Sequence, residues 1–492
     1  MEFQIPEGIK TILEALINCG FQAYVVGGAV RDIIQGKKPK DYDITTNAST
    51  ESIASLFDSI GGFEVSTINA KSYQIVSVNG VEIATFRKDI YHNGELETTI
   101  PVKTLYEDTA RRDFTVNSMA IDITGQLYDY HGGQADLAEG LIRFNGNPID
   151  RIIEDPNRII RAARFVARIE GKIENETLSA IKTAAAANVF RDIAQERIRI
   201  EILKALQCDK PSIFFNHLNM FGLLRHIFPT LDSTVGLNGG KQHREEVYDH
   251  GMICGDYMRE HYAAACRENP MLLLAAYLHD VGKAFPTFKD GEIHFYGHEQ
   301  LGADHAEREM KALTFTKAEV KFVTSLIRIH MDGGVKMSPK STRKLLYKLN
   351  QAGLEYTDWI YLRVCDRAAN LAKGPYSEKK INKLYKRFQK ELDPTMNDGN
   401  TAVTDIRDLA ISGTKIQELL NIGPSQIVGA ILQYLLDRTI LDPSLNNEKK
   451  LVEMVVGKYP KKPVCPIHKV ELECLACNTL EKENYVESIR TR

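Results

Sequence analysis

Three carboxylates near the start of the chain are of the type that binds divalent metal ions during phosphoryl transfer. Asp41 and Asp43 lie two residues apart in a strand-like run, so their side chains are expected on one face of a strand. Carboxylate oxygens suit Mg²⁺, and a pair of such ions can serve an in-line displacement at phosphorus. Glu82 interrupts the otherwise apolar run at residues 81–86. An acidic turn, and an edge-strand glutamate that faces water, are the structural alternatives.

A glycine pair lies upstream of these carboxylates. Gly27 and Gly28 separate a short apolar strand from a helix that carries Arg31. Glycines let backbone N–H groups approach a phosphate at a helix N-terminus, where the helix dipole favours anions. Arg31 would add a positive charge there. A strand-to-helix turn without a ligand is the alternative interpretation.

The elements that must position these side chains change character along the chain. Up to about residue 146, strand-like runs alternate with helices, which predicts an α+β head with a mixed sheet. The predicted strands cover residues 23–26, 41–45, 73–78, 81–86 and 118–123. Weak apolar periodicity at residues 88–110 predicts a mobile loop. From residue 149 onward apolar residues recur at helical spacing, which predicts an all-helical remainder.

Four blocks in a fixed order resemble the signature of the DNA polymerase beta-like nucleotidyltransferases. The similarity is to the branch that contains CCA-adding tRNA nucleotidyltransferases and bacterial poly(A) polymerases, and it covers at least residues 20–170. The blocks are Gly27-Gly28-x-Val30-Arg31-Asp32 with Asp41-x-Asp43, then Thr85-Phe86-Arg87, then Arg111-Arg112-Asp113 with residues 114–120, then Glu154-Asp155-x-x-Arg158-x-x-Arg161.

The resemblance implies a reaction and roles for the residues in it. The 3′-hydroxyl of a tRNA attacks the α-phosphate of CTP or ATP, and pyrophosphate leaves. Asp41 and Asp43 would bind two Mg²⁺ ions, with Glu82 as a third ligand or base. In this branch a double-arginine block lines the nucleotide site, and here that block is Arg111, Arg112 and Asp113.

The double-arginine block can also be interpreted from its residue types. Arg111 and Arg112 are adjacent, so on a regular element their side chains diverge. One is predicted to reach the triphosphate or ribose while the other anchors the structure. Asp113 is predicted to be either a catalyst or the buried partner of an arginine.

The last block offers a way to select bases without a template. Asp155 precedes Pro156 as a helix-capping residue does, and Arg158 and Arg161 follow at three-residue steps on one helix face. A carboxylate beside a guanidinium presents an acceptor next to a donor. Cytosine and adenine match that order, whereas guanine and uracil present the reverse order and would leave buried polar groups unpaired. A capped helix with surface ion pairs is the alternative.

A second cluster of metal-ligand residue types lies in the middle of the chain. His279 and Asp280 end a strongly apolar helix, where a carboxylate is costly unless it is coordinated or paired. The order His, His-Asp, His, His, Asp resembles the HD metal-dependent phosphohydrolases. The resemblance implies a divalent-metal site with the essential set His250, His279, Asp280 and Asp366, and a second position completed by His298 and His330. His243 competes with His250 as the first ligand.

The HD resemblance implies hydrolysis of phosphomonoesters or cyclic phosphates, such as damaged tRNA ends, by metal-activated water. A domain that only supports tRNA binding is the alternative.

Near the end of the chain, two ligand pairs suit a structural zinc site, and an unligated tail is the alternative. These ligands are Cys465, His468, Cys474 and Cys477. Local positive charge for tRNA is offered by Arg151, Arg158, Arg161, Arg164 and Arg168, and by Lys379, Lys380, Lys383, Lys386, Arg387 and Lys390.

Composition limits the class of protein. The chain has 492 residues, and 62 Lys+Arg against 65 Asp+Glu give a formal net charge of −3. This balance excludes indiscriminate coating of nucleic acid but allows a local basic groove. No apolar run reaches the roughly 18 residues of a membrane span, and the N-terminus lacks a signal-peptide pattern, so a cytoplasmic protein without a membrane partner is expected. The cysteines outside the tail are expected to be reduced thiols.

These observations predict five domains and leave alternatives of function. The domains are a nucleotidyltransferase head at 1–146, a helical neck for base selection and RNA binding at 147–237, an HD domain at 238–372, a tRNA-binding helical tail at 373–457 and a zinc knuckle at 458–492. A poly(A) polymerase, or an enzyme adding only C or only A, shares the head motifs. An HD hydrolase with an RNA-binding head, or a non-catalytic tRNA-binding protein, would belong to another class.

Overall fold

The structure is a computed structural model that describes residues 3–69, 74–92, 94–240, 243–289, 292–393 and 402–459. The described chain divides into two compact units. Among the described residues, the first unit consists of those at 3–330 and 361–375, and the second of those at 331–360 and 376–459. The five domains expected from the sequence stay a prediction.

Short strands concentrate in the N-terminal part. In chain order the strands are β1 (Ala23–Val26), β2 (Asp43–Thr46), β3 (Val65–Asn69), β4 (Gln74–Val78), β5 (Val81–Thr85), β6 (Arg87–His92), β7 (Glu95–Pro101), β8 (Ala120–Ile121), β9 (Leu127–Tyr128), β10 (Leu141–Ile142), β11 (Lys172–Ile173), β12 (Thr287–Lys289) and β13 (Glu292–His294). Seven strands form one sheet in the order β3-β4-β5-β2-β1-β8-β9. Because β2 and β5 are parallel and the neighbouring pairs are antiparallel, the sheet is mixed and the α+β class is confirmed.

Helices cover most of the rest of the described chain. They are α1 (Glu7–Asn18), α2 (Gly28–Ile34), α3 (Thr50–Ile60), α4 (Leu105–Ala110), α5 (Gly133–Ala138), α6 (Pro148–Glu154), α7 (Asn157–Ile169), α8 (Asn175–Ala186), α9 (Gln195–Ala205), α10 (Ser212–Met220), α11 (Leu224–Ile227), α12 (Pro229–Asp232), α13 (Val247–His261), α14 (Ala263–Glu268), α15 (Pro270–Leu278), α16 (His298–Ala312), α17 (Lys317–Ile329), α18 (Pro339–Ala352), α19 (Tyr356–Ala369), α20 (Glu378–Leu392), α21 (Gly413–Leu420), α22 (Gln426–Leu441) and α23 (Glu448–Lys458). Short 3₁₀ helices cover Thr115–Asn117, Val189–Asp192, Val281–Ala284, Ile406–Asp408 and Pro443–Leu445.

The hydrophobic pattern explains how the head packs. α1 buries Ile9, Ile12, Leu13 and Leu16, which are spaced to form one face of a helix, and it packs against β1. The sheet interior is formed by apolar side chains of its central strands, namely Val25, Ile44 and Ile83. The carboxylates at the ends of β2 and β5 are therefore attached to strands whose centres are fixed in the core.

Residues 88–110, predicted as a mobile loop, contain regular structure. β6 and β7 form an antiparallel hairpin from Arg87↔Pro101 to His92↔Glu95, with a register shift between Ile90 and Tyr91. α4 then begins with a capping box between Thr104 and Glu107. The prediction was wrong because β6 has no fully buried residue, so its strands lack the apolar alternation by which a strand is recognised.

The remainder of the described chain is mostly helical, as predicted, with short strands in two places. β11 pairs in parallel with β10, and β12 pairs with β13 in a small hairpin. Each of these strands has only two or three residues, which is too short for a period-two pattern. The rest of the described chain after residue 149 is helical where it is regular.

The apolar helix α15 lies at the centre of the HD region. Residues 271–278 of this helix are all buried, and α15 packs against α13 and α17. A helix that is apolar on every side needs neighbours on every side. His279 and Asp280 follow its last residue, so this packing positions both side chains in the interior.

The second compact unit has its own core. Arg343 is buried on α18, where it donates to the carbonyl oxygen of Ile440 (2.8 Å) and to Glu391 (2.8 Å). This pairing compensates for the burial of its charge. The core consists of Val403, Leu409, Ile411, Ile416, Val428, Ile431, Leu435, Leu436, Ile440, Leu451, Val455 and Tyr459.

Two expectations concern the chain as a whole. Among the described residues, no helix combines the length and the apolar character that a bilayer crossing requires. The described cysteines, Cys19, Cys208, Cys254, Cys266 and Cys365, carry free thiols, and all but Cys19 are buried.

Candidate active sites

The head carboxylates meet at one end of the parallel strand pair. Asp43 is the first residue of β2 and lies directly opposite Glu82 of β5. The sequence pattern had predicted Asp41 within a strand at residues 41–45. In the structure Asp41 lies in the segment before β2, which begins at Asp43. Burial raises the pKa of Asp43, and the nearby charges of Glu82 and Asp41 raise it further, while Arg112 opposes them. Three clustered acids of this kind fit a divalent cation, which would relieve their repulsion.

Gly27 leaves room for a charged side chain beside Asp43. Its φ of 73° is unfavourable for other residues. A Cβ atom on Gly27 would lie 3.3 Å from Nη1 of Arg112 and 3.7 Å from Oδ2 of Asp43. Within the described structure, Nε of Arg112 is buried without a hydrogen-bond partner. Arg112 therefore brings positive charge with spare donor capacity to the carboxylates.

Arg111 and Arg112 diverge, as expected for neighbours. Arg111 donates to Oδ1 of Asp108 (3.0 Å) and to Oδ2 of Asp89 (3.1 Å). Arg112 makes a longer contact with Oδ2 of Asp108 (3.4 Å). Asp108 is fully buried, so Arg111 is anchored to the interior of the head while Arg112 extends toward Gly27.

Arg31 is buried, and neighbouring residues already use much of its hydrogen-bonding capacity. It donates to Oδ1 of Asp32 through Nε (3.1 Å) and to Oδ1 of Asn117 through Nη1 (2.9 Å). Asp32 also accepts from Arg168 of α7 at 2.8 Å. The network ties the glycine turn to α7. Because Arg31 already donates to Asp32 and Asn117, it has fewer N–H groups available for a phosphate than its sequence position predicts.

Asp113 is the buried partner of an arginine. Its Oδ2 accepts from Nε (2.9 Å) and Nη2 (2.5 Å) of Arg161, and its Oδ1 accepts from Asn117 (3.1 Å). Burial alone would raise the pKa of Asp113. The Arg161 charge and the hydrogen bonds outweigh burial and lower the pKa to about 2. Of the two roles considered for Asp113, this geometry supports the structural one.

Asp155 lies in the break between α6 and α7, and Arg158 lies in the first turn of α7. The backbone N–H of Arg158 donates to the carbonyl oxygen of Asp155 (3.0 Å), but the two side chains bond to other residues. Oδ1 of Asp155 accepts from the backbone N–H of Asn157 (3.1 Å). Oδ2 of Asp155 accepts from Nη2 of Arg197 on α9 (2.7 Å). The sequence patterns did not single out Arg197, because its partner Asp155 is 42 residues away along the chain.

Arg158 is held by three neighbours. Its Nη1 donates to Oε2 of Glu154 (2.6 Å) and to the carbonyl oxygen of Arg151 (2.8 Å). Its Nη2 lies 3.3 Å from the hydroxyl of Tyr91, and its guanidinium lies over the Tyr91 ring at 5.3 Å. Tyr91 belongs to the β6–β7 hairpin, and the sequence reasoning missed it because that segment was predicted as a loop.

Helix α9 makes ion pairs with α7 in the neck and with α17 in the HD region. Glu201 pairs with Arg161 (3.4 Å) and with Arg164, both on α7. Two residues beyond Arg197, Arg199 pairs with Glu319 at the start of α17 (2.8 Å). The arginines of α7 thus make ion pairs inside the protein, in addition to any positive charge that they present at the surface.

The predicted HD cluster, defined here as His250, His279, Asp280, His298, His330 and Asp366, is assembled by five elements. Nε2 of His298 lies 3.3 Å and Nε2 of His330 3.6 Å from Oδ1 of Asp280. On the other side, Nε2 of His279 lies 3.4 Å from Oδ2 of Asp280. Two ligand groups fit a metal ion, and they are His250 with His279 and Asp366, and Asp280 with His298 and His330.

Orphaned nitrogen atoms indicate that the HD cluster fits a cation. Nε2 of His279, His298 and His330 is buried without a hydrogen-bond partner in the described part of the chain. Lone pairs aimed at carboxylate oxygens are unfavourable unless a proton or metal ion lies between them. Burial alone would raise the pKa of Asp280, but Lys283, whose Nζ lies 2.7 Å from Oδ2, and His279 hold it well below its usual range.

His243 and Glu245 lie behind His250. Nδ1 of His243 is 2.5 Å from Oε1 of Glu245, and Nδ1 of His250 is 3.1 Å from the same atom. Only His250 of the two histidines reaches Asp366, at 3.3 Å. The sequence reasoning did not identify Glu245, although its position five residues before His250, in the segment that enters α13, offered a signal.

The predicted zinc ligands, Cys465, His468, Cys474 and Cys477, lie outside the described residues.

Known families match three successive parts of the chain. A Poly A polymerase head domain matches residues 23–143, a probable RNA and SrmB-binding site of polymerase A matches residues 172–234, and an HD domain matches residues 241–367. The Multifunctional CCA protein of Actinobacillus pleuropneumoniae serotype 5b (strain L20) is 32% identical over 341 residues, which are 67% of this chain and 80% of that protein.

Two further proteins give the breadth of the family. Poly(A) polymerase I of Salmonella typhi is 34% identical over 252 residues, 48% of this chain and 52% of that protein. The crystal structure of the Bacillus stearothermophilus CCA-adding enzyme in complex with CTP has a similar fold, with a TM-score of 0.64, 22% identity and coverage of 92% of this chain and 96% of that one. With four signature blocks, an assembled HD cluster and these matches, the chain belongs to the family of CCA-adding tRNA nucleotidyltransferases and poly(A) polymerases.

Proposed function

We propose that this protein builds or repairs the 3′-terminal CCA of tRNA from CTP and ATP, without a nucleic-acid template, and releases pyrophosphate. The observation that carries the proposal is the opposition of Asp43 and Glu82 across β2 and β5, with Arg112 beside Gly27. The name of the Actinobacillus relative supports CCA addition as the specific reaction.

The head residues have separable roles in this mechanism. Asp41 and Asp43 would hold two Mg²⁺ ions, with Glu82 as a third ligand or base. When bound, such ions activate the attacking hydroxyl and stabilise the leaving oxygens. Arg112 would contact the triphosphate, since its Nε has no partner in the described structure, whereas Arg111 holds the segment in place.

Base selection is assigned to Asp155 and Arg158. Both side chains are buried. Arg197 holds the carboxylate of Asp155, and Glu154 holds the guanidinium of Arg158. Because the two groups are not bonded to each other, each would be able to contact a base. The Asp155 carboxylate would accept from the amino group of cytosine or adenine, and Arg158 would donate to the adjacent ring nitrogen. Uracil and guanine would leave these buried groups unpaired. Arg161 would act through Asp113 as a support.

The proposal is tested by incubating tRNA that ends before CCA with Mg²⁺ and each of the four nucleotides separately, and then with the nucleotides together. Incorporation from CTP alone, none from UTP or GTP, and addition of A only after C has been added are expected. Incorporation of all four nucleotides at comparable rates would contradict base selection by Asp155 and Arg158. The second candidate within the family, a poly(A) polymerase, is favoured by the Salmonella relative and would incorporate ATP without prior C.

A phosphohydrolase activity is proposed for the HD cluster. The orphaned Nε2 atoms around Asp280 support a divalent metal there, and activated water could then hydrolyse phosphomonoesters or cyclic phosphates at tRNA ends. Four expectations stay predictions. They are magnesium in the head, the identity of the metal at the HD cluster, zinc in the tail and a cytoplasmic location. The basic run on α20, from Lys379 to Lys390, is likewise a predicted tRNA contact.

A further inference from the structure

His250 differs from the other histidines of the HD cluster in what its Nδ1 atom contacts. Nδ1 of His279, His298 and His330 lies 2.9, 2.8 and 2.6 Å from a backbone carbonyl oxygen. Nδ1 of His250 lies 3.1 Å from a carboxylate oxygen of Glu245 instead. Because carbonyl and carboxylate oxygens only accept hydrogen bonds, all four imidazoles carry a proton on Nδ1.

Four hydrogen-bond donors saturate the Glu245 carboxylate. Oε1 accepts from Nδ1 of His243 (2.5 Å) and of His250 (3.1 Å). Oε2 accepts from the backbone N–H groups of Arg244 (3.1 Å) and Leu371 (3.0 Å). An ionised carboxylate has about four lone-pair positions, so none remains for a metal ion. Glu245 therefore supports a ligand instead of being one, although it lies close enough to His243 and His250 to form a ligand group.

The segment that carries Glu245 is fixed by close packing. The side chain of Glu245 is only 2% exposed. Gly239 packs closely against the segment at residues 243–245, because a Cβ atom on it would lie 2.7 Å from Cβ of His243 and 2.9 Å from the backbone carbonyl oxygen of Glu245. Asn238 and Glu246 are joined by a β-bridge immediately before α13 begins. The carboxylate consequently has little freedom to move away from His250.

We infer that Glu245 is a positioning residue of the HD metal site, which holds His250 in the Nδ1-protonated form and directs its Nε2 toward Asp366. Nε2 of His250 lies 3.3 Å from Oδ1 of Asp366, where a shared metal ion would join them. A carboxylate behind a metal-binding imidazole fixes the ring and raises its basicity, and its loss typically weakens metal binding 10- to 100-fold. The inference rests on the metal-dependent function proposed for the HD cluster.

The test is Co²⁺ binding to the full chain, measured by calorimetry and by the visible absorption of the bound ion. The head and the tail also offer ligands, so the HD signal is defined as the part that Asp280→Ala abolishes. Glu245→Gln keeps the size of the side chain but replaces one carboxylate oxygen by an NH₂ group, which would face either two backbone N–H donors or Nδ1 of His243 and His250. It is expected to raise the Kd of the HD signal roughly 10- to 100-fold and to change its spectrum. Glu246→Gln, one residue along and exposed, is the matched control and should leave both unchanged.

The outcomes separate this inference from the function on which it rests. An Asp280-dependent signal whose Kd and spectrum are the same in Glu245→Gln and in the wild type overturns the role of Glu245 alone. Absence of any Asp280-dependent signal in the wild type overturns the metal function, and the inference with it. A purely structural role would lower the melting temperature of folded Glu245→Gln without changing its Co²⁺ spectrum, which would also overturn the inference.

A measurement on the wild-type chain covers the case in which Glu245→Gln does not fold. In spectra of ¹⁵N-histidine-labelled protein loaded with Zn²⁺, the signals missing from His250→Gln identify His250. Protonated Nδ1 and metal-shifted Nε2 are expected for this residue. A protonated Nε2 with Nδ1 as the metal ligand would overturn the inference.

Discussion

At the scale of single residues, the carboxylate of Asp113 is the clearest case of a signature residue that serves structure. It is bonded to Arg161 and Asn117, and its pKa is about 2 in the folded chain against an ordinary 3.8. A lowered carboxyl pKa stabilises the folded state above the unfolded pKa, and this stabilisation is lost as the pH falls through the folded pKa. Its contribution near pH 7 is about 2 kcal/mol.

We therefore predict that Asp113→Asn lowers the free energy of unfolding of the head and neck by about 2 kcal/mol at pH 7. The difference from the wild type should shrink as the pH falls below about 4, because Asp113 of the unfolded wild-type chain then becomes protonated, and it should be lost as the pH falls through the folded pKa of about 2. Urea unfolding monitored between pH 7 and pH 3 measures it. A difference that stays constant over this range would contradict the assigned pKa shift.

The residue scale also shows what the sequence patterns could and could not predict. Local spacing identified Asp43, Asp155 and Arg158, because each belongs to a short signature. Their partners were out of reach, since Arg197 is 42 residues from Asp155 and Tyr91 is 67 residues from Arg158. Periodicity within one segment carries no information about such contacts, which depend on how distant elements pack.

At the scale of elements, α9 connects the residues proposed to select the base to the HD region. Arg197 holds Asp155, while Arg199, two residues along the same helix, holds Glu319 of α17. We predict that Arg197→Ala lowers kcat/KM for CTP and ATP roughly 10- to 100-fold, because a hydrogen bond to a charged group is lost, and that it weakens discrimination against UTP and GTP. Steady-state rates with each nucleotide measure both effects.

Arg199→Ala is the matched control for this prediction. It removes an ion pair of the same type from the same helix but one that points toward α17. Its nucleotide discrimination should be that of the wild type, with at most a lower melting temperature. Equal losses of discrimination in both variants would mean that α9 acts only as a structural support.

The β6–β7 hairpin shows why one element was mispredicted. Its strands pair with each other and expose much of their surface, so no apolar alternation marks them in the sequence. Its importance lies in contacts at the far end, where Tyr91 meets Arg158 and where a Cβ on Gly94 would lie 3.2 Å from Cδ of Pro156. Strands buried in the main sheet, such as β1 and β5, were predicted within one residue.

At the scale of the whole molecule, the described residues include two separate clusters that we propose as metal sites. Asp41 belongs to the head and Asp280 to the HD cluster. We predict that Asp41→Ala abolishes nucleotide addition and leaves phosphohydrolase activity intact, and that Asp280→Ala has the reverse effect. Nucleotide addition to tRNA and hydrolysis of a phosphomonoester, assayed on the same preparations, measure this. Loss of both activities in either folded variant would refute two independent sites.

The near-neutral composition fits this arrangement. The chain has 62 basic and 65 acidic residues, and part of the basic charge is neutralised inside the protein, where Glu201 pairs with Arg161 and Arg164. A balanced total charge therefore excludes only indiscriminate nucleic-acid binding. It is compatible with an enzyme that recognises one kind of RNA.

The central claim is most directly tested by sequencing the 3′ ends of tRNA after incubation with Mg²⁺, CTP and ATP together. The tRNA supplied should end immediately before the CCA. We predict that two C residues and one A are added in that order and that addition then stops. Open-ended addition of A would move the protein to the poly(A) polymerases of its family, and an unextended 3′ end would contradict nucleotidyl transfer altogether.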